Sequence, residues 1–285
     1  MEPWRALRPV GREAGPRLLL ALFGLWFYFW RGRIVLWTVR SLLRQLRFQR
    51  SSPWHPRTCP TVLTGMTAVV TGANSGLGKQ VALELVRRGA RVVLACRDLT
   101  RGQEALDDIR AATGCGPQRL LLREVDLSSL ASVRAFAARL LAELPEIHLL
   151  VNNAGIPGLP ARTPDGLNVT LATNYLGPFL LTNLLLSVTA NSVDPGVVVT
   201  NITKNLSRTW RLSFQLLRPL FKSPAQGARS ILYCCLAQEV EGVTGKYFAN
   251  DCTLQLPAAP ACDPALARSI WSISCRLTGL GPTPS

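Results

Sequence analysis

The feature that most constrains this chain is Thr71-Gly72-Ala73-Asn74-Ser75-Gly76-Leu77-Gly78, set between the apolar run Thr67–Val70 and a helical pattern over Lys79–Arg88. Glycines at this spacing let the backbone turn sharply and approach a pyrophosphate, which then sits on the N-terminal amides of the helix. The neighbouring pattern repeats the theme. Arg91–Ala95 reads as a strand, Arg101–Ala112 as a helix and Leu120–Val125 as a third strand. Ser128 or Ser129 can cap a helix running to Leu144, and Ile147–Val151 is a fourth strand. Strands separated by helices of this length imply βαβ units and a parallel sheet. The expected fold is therefore α/β, a Rossmann-type doubly wound parallel sheet. Downstream, 167–186 reads as a helix, Val188–Val193 as a strand entering Asp194-Pro195-Gly196, Ser223–Glu239 as a helix and Gly245–Phe248 as a strand. A last short helix falls around Ala265–Leu277.

Cys96-Arg97 ends the second strand, and Arg97 lies 19 residues after Gly78. An acidic residue at this interval would bind a ribose 2′-hydroxyl; an arginine instead suits a 2′-phosphate, so NADP(H) is the expected cofactor. The eight cysteines are scattered without a CxxC pair, and no metal site is expected.

The net charge of +15 is unevenly spread: residues 1–60 hold 11 of the 32 Lys+Arg and 2 of the 17 Asp+Glu. These arginines flank an apolar segment, which argues for a membrane and against nucleic acid. Leu18–Trp30 has no charge, Arg31 and Arg33 interrupt it, and Ile34–Val39 follows. Leu18 to Val39 can span a bilayer if the two arginines snorkel, and Trp26–Trp30 with Trp37 suit its interface. Residues 1–45 are thus expected to be an N-terminal membrane anchor with basic flanks. A cleaved signal and a buried core helix are the weaker readings. Residues 46–64, with Pro53, Pro56 and Pro60, read as a linker, and 65–285 as the nucleotide-binding domain. More arginines follow the apolar run than precede it, favouring a cytosolic domain. Sequons at Asn168, Asn201 and Asn205 would matter only in the lumen.

Together, Thr71–Gly78, Asp126-Leu127, Asn152-Asn153-Ala154-Gly155, Asn174 and Pro195-Gly196 resemble the short-chain dehydrogenase/reductase superfamily. Cys96-Arg97, Thr173–Phe179 and Gly245–Phe248 look most like its membrane-anchored retinol dehydrogenases. The resemblance implies hydride transfer between nicotinamide and a lipophilic alcohol or carbonyl such as a retinoid, at the endoplasmic reticulum. It implies cofactor contacts from Gly72, Asn74, Ser75, Gly76, Leu77, Gly78 and Arg97. Asp126 and Leu127 would lie near adenine, Asn153, Ala154 and Gly155 along the pocket, and Thr200 at the nicotinamide end. Asn174 matches the family's catalytic-site asparagine, which holds a proton-relay water.

The family pattern then breaks. It calls for a serine after the fifth strand and Tyr-x-x-x-Lys on the next helix. None of Tyr28, Tyr175, Tyr233 and Tyr247 has a lysine four residues later. Only 20 residues separate Asn174 from Pro195, where the missing elements need about 50. The join falls near 186–188 with both flanks intact, as exon skipping would leave it. Tyr175, Ser187, Ser192, His55 and His148 offer no substitute triad. An inactive or impaired oxidoreductase is expected; a non-catalytic nucleotide-binding or regulatory splice form is the alternative. Val188–Val193 should either fill the vacant slot beside the fourth strand or leave it open. In the family the lost helix also builds the dimer interface, so dimerisation should be lost.

Overall fold

The computed structural model describes residues 54–185, 189–200 and 221–281. The segment expected to be an anchor, 18–39, and the expected join at 186–188 lie outside them. Among the described residues no helix is long and apolar enough to cross a membrane.

The elements in chain order are β1 (Thr67–Thr71), α1 (Gly76–Arg87), β2 (Arg91–Cys96), α2 (Leu99–Thr113), β3 (Leu120–Glu124), α3 (Leu130–Glu143) and β4 (Leu149–Val151). A helical turn (Val169–Leu171) and a π-helical turn (Ala172–Leu176) lead into α4 (Gly177–Leu185). Then come β5 (Ser192–Val193), α5 (Pro224–Leu236), β6 (Tyr247–Phe248), β7 (Leu254–Gln255) and α6 (Pro264–Thr278).

β1 to β4 form a parallel sheet in the order β3-β2-β1-β4, with Val69 in register with Val93 and Leu150. All five residues of β1 are buried, which is why the strand reads as a continuous apolar run and not an alternation. Successive side chains feed opposite layers. Ala68, Val70, Val92 and Leu94 pack with Leu85 of α1, Ile109 of α2 and Leu232 of α5. Val69, Val93 and Ala95 pack with Phe136 and Leu140 of α3 and with Leu180 and Leu181 of α4. Helices on both faces make the sheet doubly wound.

Two corrections concern the second half. The strand expected over Val188–Val193 shrinks, among the described residues, to Ser192–Val193, and it lies in a separate sheet ordered β5-β6-β7. Its backbone bonds are already committed: Ser192 N donates to Lys246 O at 2.8 Å and Asp194 N to Phe248 O at 2.9 Å. Asn191 adds Nδ2 to Val243 O at 2.7 Å. The slot beside β4 therefore has no strand among the described residues. The helix expected over 167–186 is instead capped by Asn168, whose Oδ1 accepts from Thr170 N and Leu171 N, and interrupted by the π-helical turn.

The segment expected as a linker is packed from Trp54 onward. Arg88 Nη1 donates to Cys59 O at 3.0 Å and Thr61 O at 2.7 Å, Nη2 to Pro56 O, and Nε to Glu84 at 3.0 Å. Thr61 Oγ1 reaches Leu236 O at 2.7 Å, and Trp54 meets Tyr233 edge-on.

Candidate nucleotide-binding site

The C-terminal ends of β1, β2 and β3 open into a cleft of about 380 Å³. Gly72, Asn74, Ser75, Gly76 and Leu77 form one wall, Arg97 the end above β2, Asp126 and Leu127 the side after β3, and Asn153, Ala154 and Gly155 the far wall, with Thr200 beside Gly76. Twelve of the expected site residues thus converge on one cleft; Gly78 and Asn174 do not line it.

Gly78 acts from behind. A Cβ there would lie 2.4 Å from Asn153 Nδ2 and 2.6 Å from Gly72 O, so only glycine lets α1 approach the turn this closely. Gly72 has φ +65, and its Cβ would lie 2.9 Å from Ala154 Cα. Both glycines are needed for one reason: the β1–α1 turn and the strand-end loop after β4 press together.

Thr71 joins those two segments, and sequence reasoning passed over it as a site residue. Its Oγ1 accepts from Asn153 N and Ala154 N, both at 3.0 Å, and faces Val151 O at 3.4 Å. Asn153 Nδ2 returns to Thr71 O at 2.9 Å. The buried hydroxyl is fully satisfied, as a buried polar group must be. Its place at the head of the glycine motif was the only available signal.

Ser75, at the N-cap of α1, makes no side-chain cap bond. The helix end is therefore left for another acceptor, which suits a pyrophosphate. Asp126 Oδ1 accepts from Ser128 N at 2.9 Å and Ser128 Oγ at 2.7 Å, fixing the carboxylate at the cleft edge. Arg97 and Arg101 both line the cleft, and neither side chain has an ion pair or hydrogen bond among the described residues. Asp98, between them, is occupied as the cap of α2, accepting from Arg101 N at 3.0 Å. Cys96 lies against the cleft with its thiol pushed up to about 11, chiefly by burial.

Asn174 sits in the π-helical turn, a distortion frequent at functional sites. Its amide is closed on one backbone unit: Oδ1 accepts from Ile156 N and Nδ2 donates to Ile156 O, both at 2.9 Å. It fastens the Gly155–Ile156 loop. Tyr175 points to α6 instead, with its hydroxyl 2.9 Å from Ser274 Oγ. Tyr233 packs between Trp54 and Phe248. The described lysines are elsewhere: Lys79 pairs with Asp108, Lys222 donates to Asn250 O, and Lys246 follows Gly245. Among the described residues, no tyrosine–lysine pair reaches Asn174. No metal-ligating cluster occurs among them either.

Fold and cleft define a doubly wound α/β protein with a nucleotide-binding groove. A family model for short chain dehydrogenases matches residues 66–188. Mouse retinol dehydrogenase 12 is 36% identical, over 76% of this chain and 88% of its own. Human dehydrogenase/reductase SDR family member 13 is 37% identical, over 77% and 75%. Among solved structures, an uncharacterised protein of Mycobacterium paratuberculosis has a TM-score of 0.59 at 27% identity, covering 79% of this chain and 97% of that one. L-sorbose reductase of Gluconobacter frateurii, solved with NADPH and L-sorbose, shares the fold at a TM-score of 0.54 and 18% identity, covering 68% and 97%. The chain belongs to the short-chain dehydrogenase family of oxidoreductases, in the neighbourhood of the retinol dehydrogenases. The alignment to the mouse protein is 281 residues long but takes in 76% of the 285 here, about 217, so roughly sixty aligned positions have no residue in this chain.

Proposed function

We propose that this chain is a membrane-anchored, NADP(H)-binding form of a retinol dehydrogenase-like oxidoreductase that has lost most or all turnover. The observation that carries this reading is the pairing of a nucleotide cleft lined by twelve expected residues with an Asn174 that faces no tyrosine–lysine pair among the described residues. Residues of the chain fit the cofactor. The uncapped end of α1 and the Gly72–Gly78 turn suit the pyrophosphate, Asp126 and Leu127 the adenine side, Arg97 the 2′-phosphate, and Ala154, Gly155 and Thr200 the nicotinamide end. When bound, NADP(H) supplies or accepts hydride.

Among the described residues, no tyrosine–lysine pair is placed to hold or move a proton at the substrate oxygen. Losing one general acid–base residue commonly costs about 10²–10⁴ in rate. Here serine, tyrosine and lysine go together. The unmatched aligned positions support an internal deletion, as does the absence of a strand beside β4 among the described residues; the break in the sequence pattern favours a join near 186–188. Exon skipping accounts for intact pattern on both sides. The lost helix would also remove the family's dimer interface, so the chain is expected to be monomeric.

The names of the relatives support a retinoid or similar lipophilic alcohol or carbonyl as the substrate of the uninterrupted form. Residues 18–39 would hold the chain in the endoplasmic reticulum membrane with the domain in the cytosol. Microsomes carrying the chain, given NADPH with all-trans-retinal or NADP with retinol, should show no turnover above vector controls. Robust turnover in either direction would overturn the proposal. A non-catalytic regulatory role is the companion reading, favoured by the same intact cleft.

A further inference from the structure

Along α1, from Gln80 to Arg87, lies a second pocket of about 180 Å³, where His55, Arg57, Gln80, Arg87, Gln226 and Arg229 converge from the entry segment, α1 and α5. Its charge is unbalanced. Among the described residues Glu84 is the one acidic residue in its lining, and it is bonded to Arg88 at 3.0 Å with only a 4.0 Å contact to Arg87. Arg88 in turn donates to the carbonyls of Pro56, Cys59 and Thr61. Arg57 and Arg229 have no side-chain partner among the described residues, and the Arg87 side chain is 51% exposed. His55 does not add a donor on the Nδ1 side, because that nitrogen accepts from Arg57 N at 3.0 Å. Burial, followed by the nearby Arg229 and Arg57, holds its pKa below the ordinary value, so the imidazole stays neutral at pH 7. Among the described residues, three guanidinium groups thus line one pocket with almost no counter-charge, and their planar forks suit phosphate oxygens.

We propose that this Arg57–Arg87–Arg229 pocket binds the phosphate of an anionic lipid headgroup and docks the domain on the membrane by its α1/α5 edge. The position in the chain selects a lipid as the source of that phosphate. Residues 40–53, immediately before the described domain, contain Arg40, Arg44, Arg47 and Arg50 and no acidic residue. The entry segment that follows is fastened to α1 and α5 through Arg88, Thr61 and Trp54. Unlike the nucleotide cleft, this pocket takes His55 and Arg57 from the segment that follows the proposed anchor directly. Basic residues held next to an anionic leaflet each add to its attraction. The inference rests on the anchor reading of residues 18–39, and the test separates the two.

The full chain is placed in nanodiscs of phosphatidylcholine with or without phosphatidylserine, and hydrogen exchange is followed over 54–60, 80–88 and 225–232. Phosphatidylserine should slow exchange in these segments roughly fivefold or more. The slowing should disappear in Arg57→Glu/Arg229→Glu and weaken in Arg57→Gln/Arg229→Gln. It should persist in Arg268→Glu on exposed α6. Unchanged thermal unfolding and NADPH binding in the glutamine variant exclude misfolding as the cause. Equal exchange in both lipids, or slowing that survives charge reversal, overturns the proposal. Slowing by soluble glycerophosphoserine or inorganic phosphate in pure phosphatidylcholine overturns the lipid assignment in favour of a free phosphate ligand. The anchor is tested apart: carbonate extraction that releases the chain from microsomes would refute residues 18–39 as an anchor, whatever the exchange result.

Discussion

Replacing Gly78 by alanine tests the packing that builds the nucleotide turn. The new Cβ would lie 2.4 Å from Asn153 Nδ2 and 2.6 Å from Gly72 O. Asn153 could swing aside, but only by giving up its 2.9 Å bond to Thr71 O and its 3.4 Å contact with Gly72 O. Gly72 O is backbone and cannot yield without shifting the turn. Overpacking of this kind costs about 1–3 kcal/mol, and the lost side-chain bond adds about 1 kcal/mol. Alanine's better helix propensity returns at most about 1 kcal/mol. The net cost is about 1–3 kcal/mol, a fall of roughly 3–10 °C in Tm for a domain of this size. NADPH affinity should fall in parallel, because Gly72 and Asn153 both line the cleft. Thermal unfolding of the purified chain with and without NADPH reads both effects. Gly158→Ala serves as the control, since nothing lies within 4 Å of its Cβ position. A Gly78→Ala protein that matches wild type in Tm and in NADPH affinity would refute the close approach of α1 to the turn.

Arg97→Asp should lower the preference for NADPH over NADH by about 10–100-fold, the worth of a charge-assisted contact; equal affinities in wild type would remove Arg97 as the phosphate reader. Arg101→Ala, in the same cleft, should weaken NADPH binding while leaving NADH binding unchanged, by the same calorimetric titration. Lys222 is buried and its pKa is pushed down to about 8 from an ordinary value of 10.5, mainly by burial. Between those values the unfolded chain holds more protons, so Lys222 makes stability rise with pH across that window, and its penalty is constant below it. Urea unfolding at pH 8 and pH 10 should show wild type gaining stability relative to Lys222→Met; a flat difference would contradict the burial. Alkylation at neutral pH should mark the exposed Cys262 first, and leave Cys235 and Cys252, both pushed up to about 12 by burial, unlabelled until the chain unfolds.

The first half of the fold was legible because its signals are local. Thr67–Val70, Arg91–Ala95 and Leu120–Val125 are short apolar runs between helical patterns, and each became a strand within one or two residues at each end. α1 begins at Gly76, before the apolar periodicity starts, because the glycine turn itself forms the first helical turn. The convergence of Gly72, Arg97, Asp126 and Asn153 on one cleft follows from strand order, which βαβ handedness restricts to few choices. Other features depend on partners far away in sequence. Arg88 reads as a surface charge at a helix end, yet it stitches residues 56–61 to the domain across about thirty positions. Thr71 reads as a strand end, but its hydroxyl holds a loop more than eighty residues on. The π-helical turn at Ala172–Leu176 leaves no pattern of its own in a leucine-rich helix. β5 was expected to be longer because Val188 and Val193 share a strand-like composition. Its partner is β6, and that pairing is fixed by Asn191 reaching Val243, a contact no local rule anticipates.

The nucleotide half of this site is expected to work without the proton-transfer half. Calorimetric titration of the full chain in nanodiscs with NADPH tests it most directly, with NADH as the reference ligand. One saturable site per chain is expected, tighter for NADPH than for NADH, with the preference reduced in Arg97→Asp. No binding of either nucleotide by a folded chain, or a wild-type protein that does not distinguish them, would contradict it.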